Sequence, residues 1–265
     1  MKWNQEAEDA VKKVPFFVRK KVIGRIEKEA AIEGKSIITM VEVNSTRARF
    51  VSGMDSEIKG YQADTCFGQN GCPNRIVMSE ILLKKIEDLF KKEDILGFLR
   101  KSVPGALKFH HEFRTSVSEC PNACSQPQIK DIGILGASLP MQTDIPCTAC
   151  GACEEVCKEN AILIHAEEEK AVIDYPLCVK CGKCITVCPT GTIAEEKKGF
   201  RIQLGGKLGR HPRLASEIPG LFNEDEVLEV VRKCIDFYKK NSTKGKRFSE
   251  IYQDPGFLNA DDRDR

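Results

Sequence analysis

Cysteines are the residues of this 265-residue chain whose type and spacing point most directly to chemistry, and there are 13 of them. Eight fall in two runs of the form C-x2-C-x2-C-x3-C, "CTACGACEEVC" and "CVKCGKCITVCP". Four more form two wider pairs, "CFGQNGC" and "CPNAC". The N-terminal sequence lacks the apolar stretch of a secretory leader, so we expect a reducing, cytoplasmic setting and metal ligation rather than disulfides.

The doubled run is the signature of bacterial ferredoxins, in which the fourth cysteine of each run ligates the cluster of the other run. A pair of zinc knuckles would need two C-x2-C pairs rather than four cysteines per run. We therefore expect a 2[4Fe-4S] ferredoxin domain at 140–197, inserted in a larger domain. The predicted ligands of its two clusters are Cys147, Cys150, Cys153 and Cys188 for one, and Cys178, Cys181, Cys184 and Cys157 for the other.

One of the remaining cysteines, Cys234, has a structural explanation. Asn223 and Glu226 form a capping box at the start of an apolar stripe that includes Cys234, which predicts a core position on a helix over 224–240. The other four are the right number of ligands for a third cubane. We call them the wide-spaced set: Cys66, Cys72, Cys120 and Cys124.

The spacing of the wide-spaced set, C-x5-C and then C-x3-C after 47 residues, resembles the sirohaem–[4Fe-4S] motif of sulfite and nitrite reductases. The resemblance extends to "CPNACSQPQIKDIGILGA" and "GFRIQLGGKLGRHPRLA". It implies a third [4Fe-4S] cluster, a bound sirohaem, and Cys124 as the thiolate that bridges the two. A lone structural cubane without sirohaem remains an alternative.

Basic residues near these motifs are candidates to hold a small oxyanion and the carboxylates of sirohaem. Alternation predicts strands that carry them in "STRARFV" and in "LKFHHEFRTSV" (107–117). In the second stretch, Lys108-Phe109 resembles a Lys-Phe-Lys strand that lines the anion pocket of sulfite and nitrite reductases, but His110 replaces the second lysine. Ordinary solvated surface charge is the alternative for each. The predicted catalytic residues are Arg47, Arg49, Arg75, Lys108, His110 and Lys130. The predicted cofactor-binding residues are Cys124, Arg114, Gly205, Gly206, Gly209 and Arg210.

The first 45 residues resemble the small C-terminal module of the light-independent protochlorophyllide reductase B subunit. The resemblance rests on Trp3, the Pro15–Arg19 run, Glu27 and Gly34. The pattern predicts two short helices split by Pro15, a stop at Gly34 and then a strand. Such a module could cover the sirohaem or another tetrapyrrole. It could equally be a packing or dimerisation appendage.

Charge and apolar patterning set limits on the partners. Lys and Arg number 41 against 39 Asp and Glu, so a net charge of +2 gives no reason to expect nucleic acid or an anionic membrane. The longest apolar run (132–141) is too short to span a bilayer. We expect an α+β fold with a helical cap at 1–45, a reductase core at 46–139 and 198–265, and the ferredoxin at 140–197. Further helices are expected at 79–91 and 94–102.

The function expected from these features is that of an iron–sulfur oxidoreductase with three [4Fe-4S] clusters and sirohaem. It would reduce sulfite or nitrite with electrons that a redox donor protein delivers to the ferredoxin clusters. A second copy or a partner subunit would complete the pocket. Two alternatives stay open: a three-cluster electron-transfer protein without sirohaem, and an enzyme that acts on a tetrapyrrole as substrate.

Overall fold

The computed structural model describes residues 1–259, with side chains at all of them except 17, 50–56, 69 and 259. These residues form two compact units. The smaller unit contains residues 1–58 together with 105–110, and the larger contains 59–104 and the residues from 111 onward.

The smaller unit is helical. Its elements are β1 (Lys2–Trp3), α1 (Gln5–Lys12), α2 (Phe16–Ile32), β2 (Ile37–Ile38) and α3 (Met40–Glu57), and the two short strands pair in parallel. The side chains of its core are those of Ala7, Val11, Ile26, Ala30 and Ile38. The break between α1 and α2 lies at Pro15, as predicted.

The expected strand after Gly34 is only two residues long, and the expected strand in "STRARFV" is wrong, because α3 occupies that stretch. Helix α3 begins with a capping box in which the Glu42 carboxylate accepts a 2.8 Å hydrogen bond from the Thr39 backbone N–H. The predicted domain boundary at 45 therefore falls inside a helix, and this unit continues to Ile58.

The larger unit is built on a five-stranded sheet of order β3-β4-β5-β8-β9. Strands β3, β4 and β5 are parallel, whereas β8 runs antiparallel to β5 and to β9. In chain order its elements are β3 (Tyr61–Thr65), α4 (Glu80–Lys92), α5 (Ile95–Ser102), β4 (Phe113–Ser118), β5 (Ile132–Gln142), α6 (Ala152–Val156), β6 (Ile162–His165), β7 (Lys170–Ile173), α7 (Lys183–Val187), β8 (Ile193–Leu204), β9 (Ser216–Phe222), α8 (Glu224–Asn241) and α9 (Phe248–Ile251).

One face of this sheet forms the core against α4 and α8. The Phe113 ring lies 5.6 Å from Phe90 and 5.3 Å from Tyr238, between ring centroids. The helices predicted at 79–91, 94–102 and 224–240 appear as α4, α5 and α8, each within about one residue of its predicted bounds. Cys234 is fully buried on α8, as predicted. The apolar pattern of 79–91 also predicts that Ile81 faces inward, but this side chain points outward with 66% of its surface exposed.

A small subdomain is inserted between β5 and β8 and consists of α6, the β6–β7 hairpin and α7. Its core contains two cysteines, Cys153 and Cys184, packed with Ile162, Ala171 and Ile193. The fold is therefore α+β with an insert, as the sequence predicts. Within residues 1–259, no helix is long and apolar enough to cross a bilayer.

Candidate functional site

The wide-spaced set lies where two neighbouring strands of the sheet end. Cys66 directly follows β3, and Cys120 follows β4 by two residues; these strands pair in parallel, with Thr65 opposite Val117. A turn that includes Gly71, at φ +87°, returns the chain to Cys72. Burial raises the pKa of the Cys120 thiol, and the thiols of the other three members raise it further because they lie nearby. The four sulfurs therefore share one region.

The eight cysteines of the insert separate into two sets around two cavities. One cavity is lined by what we call the outer set, namely Cys147, Cys150, Cys153 and Cys188. The other is lined by the inner set, namely Cys157, Cys178, Cys181 and Cys184. Burial raises the pKa of Cys184 to about 12, and the three other thiols of the inner set contribute to that rise. The fourth cysteine of each run thus lies with the opposite run, in the arrangement predicted for a two-cluster ferredoxin.

The donor chemistry of each set fits a cubane cluster, since four thiols lie near one another in each set and thiolates are the ligands that [4Fe-4S] clusters use. No three His, Cys, Asp or Glu side chains in the described part of the chain are arranged to hold a single metal ion. Cys234 lies apart from all three sets, in the core contacts of α8.

The inner set adjoins the wide-spaced set. Its cavity is also lined by Pro121 and Asn122, which lie between Cys120 and Cys124. A neighbouring cavity is bounded by 73–76 on one side and by 181–183 on the other. The outer set's cavity is lined instead by residues of the insert and of its junction with β8. The two ferredoxin sets are therefore not equivalent with respect to the wide-spaced set.

Hydrogen bonds fix the inner set against the sheet. The Ser138 backbone N–H of β5 donates to the Lys180 carbonyl at 2.8 Å, and the Arg201 guanidinium of β8 donates to the Val179 carbonyl at 3.0 Å. Both acceptors lie between Cys178 and Cys181. These bonds hold the second cysteine run in a defined position on β5 and β8.

The face of the sheet opposite the core is polar and carries the loop of Cys124. Alternation along the paired strands places Gln62, Arg114, Ser116, Gln203 and Glu217 on this face. The Ser116 hydroxyl donates to the Ser125 carbonyl at 3.0 Å, and the hydroxyls of Ser118 and Ser125 lie 2.7 Å apart. Cys124 itself is exposed. Its thiol is therefore accessible at the edge of a polar, partly basic surface.

The predicted glycine loop adjoins the turn that follows Cys124. A Cβ on Gly206 would lie 2.5 Å from the Gln128 carbonyl oxygen, and a Cβ on Gly205, at φ +80°, would lie 2.2 Å from the Tyr252 ring. These two glycines are thus required by close contacts within the chain itself. Gly209 and Arg210 lie further along, on an exposed loop.

Two basic candidates of the larger unit, Arg75 and Lys130, form ion pairs with carboxylates. Arg75 pairs with Glu119 through Nε and with Glu80 through Nη2, both at 3.2 Å. The Lys130 ammonium lies 2.8 Å from Asp64. Arg114 is half-buried on β4, and its backbone N–H donates to the Asp131 carboxylate at 2.9 Å.

The other four basic candidates, Arg47, Arg49, Lys108 and His110, belong to the smaller unit, whereas the grouped cysteines belong to the larger unit. Arg47 and Arg49 lie two residues apart on a helix and do not share a strand face; Arg49 pairs with Glu29 at 2.9 Å.

The strand predicted over 107–117 begins only at Phe113, because its partner β3 begins opposite it, at Tyr61. Lys108 and His110 therefore lie outside the strand, and the backbone from Phe109 to His111 makes a single 3-10 turn.

Two functional candidates were missed by sequence reasoning. Arg201 lies on the polar face of the sheet. The alternation of polar and apolar residues in "GFRIQL" predicts that it faces away from the core. Glu119 is a buried acid next to Cys120, and its partners come from a segment 40 residues earlier. No local pattern shows those partners.

Comparison with known proteins agrees with both resemblances. Residues 62–259 match the family described as "Nitrite and sulphite reductase 4Fe-4S domain", and residues 3–47 match "Proto-chlorophyllide reductase 57 kD subunit". The coenzyme F420-dependent sulfite reductase of Methanocaldococcus jannaschii is 34% identical over 182 residues, which are 69% of this chain and 27% of that protein.

Two other relatives are shorter matches. An anaerobic sulfite reductase subunit from Salmonella typhimurium is 29% identical over 152 residues, 56% of this chain and 44% of the relative. Ferredoxin 7Fe of Hydrogenibacillus schlegelii is 40% identical over 53 residues, 19% of this chain and 65% of the relative. The chain spans less than half the length of either sulfite reductase relative. The first family match covers most of the chain and includes all twelve grouped cysteines, and the chain belongs to the nitrite and sulphite reductase 4Fe-4S domain family.

Proposed function

We propose that this protein reduces sulfite, or the related anion nitrite, using three [4Fe-4S] clusters and a sirohaem. The observation that carries the proposal is the position of Cys124. Its thiol belongs to a four-cysteine set and is also exposed at the edge of the polar sheet face. One sulfur can therefore serve a cluster and a second cofactor at the same time.

The outer, inner and wide-spaced sets would each hold one cubane, and the clusters would supply one-electron transfer. The inner set shares its cavity with Pro121 and Asn122 of the wide-spaced loop, while the outer set lies within the insert. The contacts support an arrangement in which a donor protein meets the outer set and the inner set delivers to the wide-spaced set.

The residues that would hold sirohaem are the Cys124 thiolate and Arg114 of the polar face. The adjoining exposed loop adds Arg210. Bound there, sirohaem would supply an iron centre that binds the oxyanion and passes electrons to it. The guanidinium groups suit its carboxylates because they present a planar, bidentate fork.

Lys130 is the proposed residue for holding and protonating the oxyanion. Its side chain is mostly buried, with 16% exposed, and its partner Asp64 is 51% exposed. An anion beside Lys130 would compete with Asp64 for the ammonium group, which keeps three donor protons. Arg75 is less suited to this role because two carboxylates already occupy its guanidinium.

We also propose a partner subunit or a second copy of the chain. The Salmonella relative is named as a subunit, and the Methanocaldococcus relative is longer than this chain. The smaller N-terminal unit, which matches the proto-chlorophyllide reductase family, would serve as a cover for a tetrapyrrole.

The decisive experiment compares Cys124→Ser with Cys234→Ser in anaerobically purified protein. Both variants make the same chemical change, but Cys124 is exposed in a ligand set and Cys234 is fully buried in a helix core. Cys124→Ser should alter the tetrapyrrole absorption bands and the electron paramagnetic resonance signal of the third cluster. Cys234→Ser should leave both unchanged and reduce stability through a buried hydroxyl.

A Cys124→Ser protein with unaltered tetrapyrrole bands and three intact clusters would refute the shared-thiolate role. Unmodified protein that contains three clusters but shows no tetrapyrrole bands after supply of sirohaem would instead favour an electron-transfer protein. A tetrapyrrole spectrum that changes irreversibly during turnover would point to a tetrapyrrole substrate.

A further inference from the structure

We propose that Glu119 is the positioning residue of the wide-spaced set, and that its pairing with Arg75 sets the reduction potential of the cluster held there. The inference rests on the proposed third cluster. Glu119 lies between the end of β4 and Cys120, and only 1% of its side chain is exposed.

The Glu119 carboxylate is tied to the segment that follows Cys72. One oxygen accepts hydrogen bonds from the backbone N–H of Ser79 at 2.9 Å and from its hydroxyl at 2.8 Å. The other oxygen lies 3.2 Å from the Arg75 Nε. A buried carboxylate with these partners fixes 75–79 relative to Cys120.

The same residue also contacts the loop between Cys66 and Cys72. A Cβ built on Gly68 would lie 1.8 Å from a Glu119 carboxylate oxygen, so the carboxylate packs directly on the Gly68 backbone. The Glu119 backbone N–H donates to the Cys66 Sγ at 3.4 Å, and its carbonyl accepts from the Ile76 N–H at 3.0 Å. Glu119 therefore contacts the segments that carry Cys66 and Cys72, and it directly precedes Cys120.

The negative charge of Glu119 and the positive charge of Arg75 have opposite effects on the reduction potential of the cluster. Adding an electron to a cluster is disfavoured by a nearby negative charge and favoured by a nearby positive one. Glu119→Gln removes the negative member of the pair and leaves the Arg75 guanidinium, so the cluster should become easier to reduce. Arg75→Gln leaves a buried carboxylate beside Cys120, so the cluster should become harder to reduce.

Glu80 provides the matched control. It pairs with the same guanidinium at the same 3.2 Å distance, but 43% of its side chain is exposed, so solvent screens its charge. Glu80→Gln should therefore leave the potential close to that of the unmodified protein.

The test is an anaerobic redox titration of the full chain, followed by electron paramagnetic resonance. The signal of the third cluster is identified by its loss in Cys66→Ser. At a fixed potential, Glu119→Gln should raise the ratio of reduced to oxidised third cluster roughly tenfold, and Arg75→Gln should lower it by a similar factor. For a one-electron couple a tenfold change is about 59 mV. The signal of the outer set, whose cavity neither Glu119 nor Arg75 lines, should not move.

Shifts of the two variants in the same direction, or no shift in either while the cluster persists, would overturn the inference. If Glu119→Gln fails to retain the cluster, Arg75→Gln decides: a lower potential supports the pairing and an unchanged one overturns it. Absence of any third signal in unmodified protein would refute the third cluster itself, which separates failure of the proposed function from failure of this inference.

Discussion

Two glycines at equivalent positions in the two ferredoxin runs allow a matched test of how the insert is fixed to the sheet. Gly151 follows Cys150 and Gly182 follows Cys181, and both adopt left-handed backbone conformations, with φ of +80° and +70°. Alanine in this left-handed conformation destabilises the folded state by about 1–2 kcal/mol at either position. Any difference between the two alanine variants must therefore come from the surroundings.

The surroundings differ strongly. A Cβ on Gly151 would meet nothing within 4 Å, whereas a Cβ on Gly182 would lie 2.9 Å from the Cβ and 3.0 Å from the Oγ of Ser138. Ser138 has little freedom to move, because its N–H donates to the Lys180 carbonyl at 2.8 Å and its hydroxyl donates to Glu195 at 2.6 Å. Overpacking of this kind costs about 1–3 kcal/mol beyond the backbone term.

We expect the apparent Tm of Gly182→Ala, measured anaerobically with clusters bound, to lie roughly 2–12 °C below that of Gly151→Ala. Gly182→Ala should also slow reduction of the third cluster by the ferredoxin clusters, because it displaces the inner set from β5. Adding Ser138→Gly, which removes the colliding side chain, should recover part of the loss in a double-mutant cycle. Equal Tm values for the two alanine variants would refute the docking of the second run on β5.

Three further outcomes are expected. Iron analysis of anaerobic protein should give about twelve cluster irons, and Cys66→Ser should reduce this to about eight, as electron paramagnetic resonance can check. Asp131→Asn should destabilise the larger unit by about 1–3 kcal/mol in denaturant unfolding, because the carboxylate accepts N–H bonds from Arg114 and Ser249. Burial raises the pKa of Asp131 in the folded state. Its protonated form therefore stabilises the fold below the unfolded-state pKa, and this contribution is lost as pH rises through the folded-state pKa. That pH dependence of the unfolding free energy should be absent from Asp131→Asn. Asn223→Ala should cost about 1 kcal/mol through loss of the α8 cap, without changing the cluster spectra.

The grouping of the cysteines into sets could be predicted from sequence because cluster ligation imposes local spacing. The swapped fourth cysteines, Cys157 and Cys188, followed from the same rule, and the thiols that neighbour Cys184 and Cys153 agree with it. The helices α4 and α8 were predictable for a similar reason, since their apolar periodicity and the Asn223 cap are local signals. These features need no knowledge of distant partners.

The basic residues were predicted less well because their environment depends on distant segments. Alternation around Lys108 resembled a strand, but a strand needs a neighbour, and β3 supplies one only from Tyr61. The signal for α3 was present as Thr39 and Glu42 in the form of a capping box, and it indicates a helix rather than the strand that alternation suggested. The ion pair between Arg75 and Glu119 joins segments 44 residues apart and leaves no local trace.

The position of the insert in the chain explains why one ferredoxin set lies beside the wide-spaced set. Strands β5 and β8 pair antiparallel as far as Gln142 and Ile193, so the chain leaves and re-enters the sheet at adjacent points. Ser138 of β5 also bridges to Cys181, which places the second run along the strand rather than beyond its end.

The same strand approaches the other cysteine set. A Cβ on Gly136 would lie 2.5 Å from the Glu119 carbonyl oxygen, so β5 passes directly against the residue that precedes Cys120. Between Gly136 and Ser138, a single strand therefore contacts both the wide-spaced loop and the inner run. Because both contacts are made by backbone and short side chains, the separation of the two sets is fixed by the sheet and not by flexible linkers. Substitutions that shift β5 should for that reason affect electron delivery before they affect the clusters themselves.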